Sequence, residues 1–275
     1  MVTINTNYAA AFASNAAKQT TSSLNSAMEK LSTGTRINYA RDDAAGQAIA
    51  TRLSAEIQGL AAAARNAADA QSMLDTADGA LQETQNVLLR MRELAVQSAS
   101  GTLTDLDRDH TDAEFQQLEA EIKRISDNTK WAGQGLIDGT AASGISFQIG
   151  EGASQTITVS IADMAASAAG LALHDDSLQT ASDAQTAIGA LDTAIANVST
   201  QRGVLGAASN RLTSTMNNLD QVNVNLTASK GRIEDADFAA ETGNLAKNQI
   251  LQQAATAMVA QANASKSTVM TLLQS

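Results

Sequence analysis

Proline is absent from this chain of 275 residues. At the usual frequency of about 5% such a chain carries roughly 14 prolines, and a single one inside a helix costs about 3 kcal/mol, so the absence points to long uninterrupted helices. Cysteine is absent too, which excludes disulfides and thiolate chemistry without identifying a compartment. Aromatic residues make up only 3% against 44% apolar content, so buried surfaces must be built largely from alanine and other small side chains, which favours closely spaced helices. Positive charge is scarce. A net charge of -11 and an isoelectric point near 4.6 argue against phosphate backbones and anionic lipid, and nucleic acid is not expected as a partner. No run approaches the roughly 18 apolar residues of a membrane span, so no membrane insertion is expected. The opening MVTINTNYAAAFASNAAK lacks the basic start and Leu-rich stretch of a cleavable signal, so any export is expected to bypass the general secretory route.

Chemistry is thinly represented. His110 and His174 are the two histidines, and neither has a partner at metal-binding spacing; without cysteine a site would rest on carboxylates, so no metal and no cofactor are expected. The adjacent acids Asp42–Asp43 and Asp175–Asp176 fit helix caps or solvated surface better than an acid–base pair. Gly133, Gly135 and Gly139 lack the buried strand and the Lys-Ser/Thr of a phosphate loop, and read as turn residues. No catalytic residue is assigned, and an enzyme is not expected.

The two ends of the chain are matched. Residues 1–28 contain one charge, Lys18, and residues 248–275 contain one, Lys266, where a composition of 17% charge gives about five in each. In the first segment the larger apolar groups fall at Ile4, Tyr8, Phe12, Leu24, Met28 and Leu31; in the last, at Leu251, Ala255, Met258, Ala262, Val269 and Leu272. In the last segment the steps are three, four or a heptad, one face of a helix, and in the first Ala16 bridges Phe12 to Leu24 on a stripe of the same helical period. The opposite face of the last segment is Gln, Asn, Ser and Thr instead of the Lys and Glu of a solvated helix, so these helices are expected to need partners other than bulk water.

Between the ends, three-four spacing runs from Ala44 to Ala99 through Ile49, Leu53, Ile57, Leu60, Ala64, Ala67, Leu74, Ala77, Leu81, Leu88, Met91 and Ala95. A helix of that length spans about 80 Å at 1.5 Å per residue, which predicts a rod. A shorter helix is expected after the acidic start Asp105, Asp107 and Asp109, carried by Phe115, Leu118, Ile122 and Ile125. NTKWAGQGLIDGTAASG (128–144) is rich in turn formers, and ISFQIG and QTITVSI around EGAS form the one convincing hairpin. Helical period returns from Asp183 to about Leu226, giving the first long helix an antiparallel partner. The expected fold is mainly α: a long antiparallel helical rod, coiled-coil-like, over 41–234 with one small β-hairpin near 144–161, and paired terminal helices from 1–40 and 235–275 forming one discontinuous domain.

Five segments carry a family resemblance. LSTGTRINYARDDAAGQAIATRLSAEIQGL (31–60), ALQETQNVLLRMRELAVQSAS (80–100), RGVLGAASNRL (202–212), GRIEDADFAAET (231–242) and KNQILQQAATAMVAQAN (247–263) resemble, in order, the terminal blocks of bacterial flagellins. The resemblance covers roughly 1–165 and 182–275, and the short middle marks a form lacking the outer variable domains. It implies a structural subunit that polymerises with itself into the extracellular flagellar filament for swimming, exported unfolded by the flagellar type III apparatus and assembled at the tip. It implies terminal segments poorly ordered in the free monomer that pair in the inner tube, making Ile4, Tyr8, Phe12, Leu24, Leu31, Leu251, Ala255, Met258, Ala262, Val269 and Leu272 the core packing residues. The flagellar cap, hook-junction proteins and an export chaperone are partners by the same resemblance.

Two further surfaces are marked. With Leu88, Met91 and Ala95 on the seam, Leu89, Arg90 and Leu94 are expected on the surface; with Glu114 they occupy the positions of the patch that the vertebrate innate receptor TLR5 reads on some flagellins, of which Arg90, Leu94 and Glu114 are kept, while subunit contacts in the protofilament explain them as well. The hairpin is either a passive cap or a switch of filament handedness, with Gly150 and Gly152 as switch candidates. The alternatives to a filament subunit are the hook–filament junction protein, which shares similar ends, and a soluble signalling coiled coil.

Overall fold

The computed structural model describes residues 6–166, 171–173 and 176–274. Among these, five helices carry the fold: α1 (Tyr8–Thr33), α2 (Ala44–Ser98), α3 (Asp105–Asn128), α4 (Ala181–Glu234) and α5 (Phe238–Gln274). Two antiparallel strand pairs lie between α3 and α4: β1 (Lys130–Trp131) with β2 (Gln134–Gly135), and β3 (Ile145–Gln148) with β4 (Thr156–Val159). The chain forms two compact units, residues 1–55 with 225–275 and residues 56–224. None of the described helices is long and apolar enough to cross a membrane.

The unit of residues 56–224 is built on a heptad seam. Along α2 the buried positions are Leu60, Ala63, Ala67, Ala70, Leu74, Ala77, Leu81, Thr84, Leu88, Met91, Ala95 and Ser98, alternating steps of three and four. Along α4 they are Ala184, Ala187, Leu191, Ala194, Val198, Gln201, Leu205, Ala208 and Leu212, with the same alternation. The two helices are antiparallel, because cross-pairs fall along α4 as they rise along α2: Arg202 Nε donates to Asp78 Oδ1 at 2.7 Å, and Arg92 Nε to Asp192 Oδ1 at 2.6 Å. Ala64, expected on the seam, gives way to Ala63, and in α2's first turns Ile49 is 42% exposed while its neighbour Ala50 turns inward. A strict repeat places the alanine, whatever the size of the residue beside it.

The α2–α3 turn is closed by polar groups. Thr104 caps α3, accepting from Asp107 N while the Asp107 carboxylate accepts from Thr104 N, and Thr104 holds that carboxylate below its usual range. The buried Arg108 donates to the carbonyls of Ser98, Ser100 and Leu103 at 3.0, 2.8 and 2.8 Å, satisfying oxygens at and beyond the end of α2. Ser98 Oγ donates to Leu178 O, and Leu178 N donates to Asp112 Oδ1, both at 2.7 Å, so the segment before α4 is fastened to the same corner.

The turn-rich stretch after α3 contains a second strand pair that the composition did not announce. Ala132 (φ 49) and Gly133 (φ 85) are both left-handed, as a two-residue hairpin turn of primed type requires. The expected hairpin is the β3–β4 pair, with Ile145 opposite Val159 and Gln148 opposite Thr156. Ile157 and Val159 face the core, and the Gln201 side chain donates to Ser160 O at 3.1 Å, tying α4 to the end of β4.

Candidate assembly surface

The unit of residues 1–55 and 225–275 joins the two ends of the chain. Asn7 starts α1 by accepting from Ala10 N at 3.1 Å, and Gly34, left-handed at φ 74, ends it with its N–H on Lys30 O. The chain then runs beside the end of α4: Thr35 bridges Asp235, Arg36 N donates to Glu234 O at 2.6 Å, and Arg36 Nη2 donates to Ile233 O at 2.7 Å. Asp43 accepts from Gly46 N at 2.8 Å and caps α2. Asp42 accepts from Tyr39 N and Asn38 N at 2.9 and 3.1 Å. Both carboxyls lie below their usual range, Asp43 chiefly through the Gly46 N–H and Asp42 chiefly through that of Tyr39. Asp43 is thus a helix cap, and Asp42 closes the turn that precedes it. His174 and Asp175 lie outside the described residues, among which no cluster of acids and histidines is placed to hold a metal.

The helices α1 and α5 pack antiparallel. Asn7 Nδ2 donates to Ala262 O at 3.1 Å, Gln252 Nε2 to Thr21 Oγ1 at 3.3 Å, and Lys30 meets Glu241 at 4.0 Å. Their Cα atoms approach within 8 Å along the pair. Such closeness needs small side chains at the contact, and the buried residues of α1 are Ala13 and Ala27.

Small residues therefore face inward and large ones outward. On α1, Tyr8 is 72% and Phe12 80% exposed; on α5, Phe238, Ile250, Leu251 and Met258 are 55%, 66%, 44% and 61% exposed. With Tyr39, four of the seven aromatic residues of an aromatic-poor chain lie exposed in this one unit. Isolated exposed apolar groups are ordinary, but this concentration on α1, α5 and the turn after α1 makes the unit a candidate interaction surface. Of the other expected packing residues, Leu24, Leu31, Ala255 and Ala262 are half-buried; Ile4 and the side chains of Val269 and Leu272 lie outside the described residues.

The second expected surface is brought together in part. Leu89 and Arg90 are exposed on α2, and Arg90 donates to Glu114 Oε1 on α3 through Nε at 3.0 Å and Nη2 at 2.8 Å. Glu114, ahead of Glu93, holds the guanidinium more firmly protonated than usual. Leu94 is not exposed. It is 2% accessible and belongs to the same buried cluster as Phe115 and Ile122, because α3 widens the covered face of α2 beyond a two-helix seam. Gly150 and Gly152 lie in the β3–β4 turn, where the Gln148 amide donates to both their carbonyls at 2.7 Å and Gln155 Oε1 accepts from Gly152 N at 3.1 Å.

Fold and surface together define a class: mainly helical proteins whose chain ends pair through small residues and turn their large apolar side chains outward. Family models for the bacterial flagellin N-terminal helical region and the bacterial flagellin C-terminal helical region match residues 4–142 and 188–273. The flagellin of Halalkalibacterium halodurans is 44% identical over 248 residues, covering 90% of this chain and 91% of that protein. The flagellin of Bacillus subtilis is 41% identical, covering 98% and 99%. The crystal structure of Bacillus cereus flagellin, 37% identical, matches with a TM-score of 0.51 over 56% of this chain and 88% of that one. A putative flagellar hook-associated protein from Vibrio parahaemolyticus, 17% identical, shares the fold with a TM-score of 0.59 over 70% of this chain and 100% of that one. The chain belongs to the bacterial flagellin family. It is a short member, with only residues 143–187 between the two matched regions and no outer variable domains.

Proposed function

We propose that this chain is the repeating subunit of a bacterial flagellar filament, polymerising with itself by enclosing the α1–α5 surface between copies. The observation that carries the reading is the outward placement of Tyr8, Phe12, Ile250 and Met258 on helices whose segments are almost without charge. Apolar groups gain by leaving water, and a surface of Gln, Asn and Ser permits close approach without burying unpaired ions, each of which costs several kcal/mol. A contact between unlike surfaces that does not close into a ring generates an open helical fibre, which is the geometry of a filament. The role is mechanical, not catalytic.

Export of the unfolded chain, chaperone escort, growth beneath a cap and attachment through junction proteins belong to the same reading, which places the protein outside the cell in the filament. Leu89, Arg90 and Glu114 form a contact for neighbouring copies or for the innate receptor, with Leu94 acting only from beneath. A receptor-reporter assay with pure monomer distinguishes the two: no response leaves the filament contact alone. Deletion of residues 250–275 tests the main reading. The truncated chain should remain a soluble helical monomer that forms no filaments, and normal filaments from it would refute the assignment. Negative-stain images showing short capped stubs from the intact chain would instead favour a junction protein.

A further inference from the structure

Formal charge is divided unevenly between the two units. Residues 56–224 carry nine lysines and arginines against 22 acids, a net of -13; residues 1–55 with 225–275 carry nine against seven, a net of +2. A polymer joined through the second of these brings many copies of the first together, and like charge opposes that approach unless cations from neighbours offset it.

Several cations of the terminal unit are already engaged within it. Arg36 donates to Ile233 O and pairs with Asp43 at 3.4 Å, Lys30 faces Glu241, and Lys230 meets Glu234 at 3.3 Å. Arg41 is different. Its side chain is 78% exposed, and its guanidinium carbon stands 4.6 Å from the centroid of the Tyr39 ring, itself on a residue 48% exposed. The Asp42 carboxylate stands off: its Oδ1 lies 4.0 Å from Arg41 Nε, beyond hydrogen-bond length, while its Oδ2 is held in the turn by two backbone N–H groups. An aromatic ring beneath a guanidinium holds its plane while leaving the N–H edge open to a carboxylate.

We propose that the Tyr39–Arg41 turn is a docking element for the acidic unit of a second copy of this chain: a carboxylate within residues 56–224 of the neighbour meets the guanidinium edge, and the neighbour covers the exposed face of Tyr39. The proposal rests on the filament reading above and adds to it a polar contact that sets how adjacent copies align. Desolvation between copies strengthens such a charge-assisted pair relative to one in open water.

Zero-length cross-linking tests it. An Arg41→Lys chain is prepared in isotopically heavy and light forms, mixed, assembled and treated with a carbodiimide, which joins an amine to a carboxylate only where the two touch. The expected product is a heavy–light peptide pair linking the amine introduced at position 41 to an Asp or Glu of residues 56–224. That amine linked only within its own copy, only to residues 1–55 or 225–275, or to nothing, overturns the proposal. In parallel, Arg41→Glu should raise the critical concentration for assembly by about tenfold at low salt, with the difference shrinking as salt rises. An unchanged critical concentration overturns it as well, and decides the matter if Arg41→Lys folds without assembling. Failure of the unsubstituted chain to form filaments counts against the filament reading, whereas normal filaments without these results count against the docking element alone.

Discussion

Replacing Phe12 with alanine is expected to leave the single subunit intact and to weaken its assembly. Phe12 is 80% exposed on α1, so its ring contributes little to the packing of α1 on α5. Alanine is also the better helix former, and a substitution at such a site changes subunit stability by no more than about 0.5 kcal/mol. Full burial of a phenylalanine side chain is worth about 1.5–3 kcal/mol; covering the remaining four-fifths between copies therefore contributes about 1.2–2.4 kcal/mol. At 1.4 kcal/mol per factor of ten, the critical concentration should rise roughly 7- to 50-fold. Ala27, 1% exposed on the same helix, supplies the contrast. Leucine there overpacks the contact inside the subunit and should cost about 1–3 kcal/mol of subunit stability. Sedimentation of polymer across a concentration series measures the first effect, and thermal melting followed by circular dichroism measures the second. A Phe12→Ala subunit that melts several degrees earlier with an unchanged critical concentration would place the ring's contacts inside the subunit and refute the reasoning. No change in either quantity would remove α1 from the assembly surface.

Leu94→Ala should destabilise the helical unit by about 2–5 kcal/mol in urea unfolding, while Leu89→Ala, five residues away and half exposed, should stay within about 0.5 kcal/mol; equal effects would contradict the burial of Leu94. Asp42, Asp43 and Asp107 have folded carboxyls below their usual range, so the stability they add is fully present above an unfolded value of about 4 and is lost as pH falls through the lower folded values. Asp43→Asn keeps a cap without a titrating group or the charge that pairs with Arg36, so it should fall somewhat below the parent at pH 7 and lose less helix signal on acidification, the two converging at low pH; identical acid curves would discount Asp43. At Gly150 an added methyl meets the Gln155 carboxamide, which must swing away and give up its bond to Gly152 N. Gly150→Ala should therefore alter filament handedness without stopping assembly, a result visible by dark-field microscopy, and unaltered handedness would make the hairpin a passive cap.

The long helices are legible because leucines and isoleucines at three-four spacing admit no other period, and nothing like proline interrupts them. Ala67, Ala77 and Ala95 are legible with them, but several other small or polar members of the same seams are not. Ala70, Thr84, Ser98 and Gln201 occupy inward positions, yet each residue type is equally at home on a surface until its partner is known; Thr84, for one, is accommodated by donating to Ala80 O at 3.0 Å. Leu94 is misplaced by reading α2 as one half of a two-helix seam, since only α3 brings Phe115 and Ile122 into the same cluster. The β1–β2 turn escapes because it needs two left-handed residues, and while Gly133 advertises one, Ala132 gives no sign of the other. At the chain ends, the missing charge and the apolar stripe are plain. That alanines rather than phenylalanine and tyrosine take the inside is settled only when the helices meet.

The pairing of α1 with α5 also dictates an order of events. Asn7 bonds to Ala262, a separation of 255 residues, and Thr21 to Gln252, a separation of 231. During synthesis α1 thus has no mate until α5, more than 200 residues later, has been made. Residues 56–224 hold a core of their own and wait less, since the Arg202–Asp78 bond across it spans 124 residues. Closure of the distant ends is the slow, late step that non-local contacts impose. Until it happens, α1 remains a nearly uncharged, alanine-rich segment with no mate in its own chain.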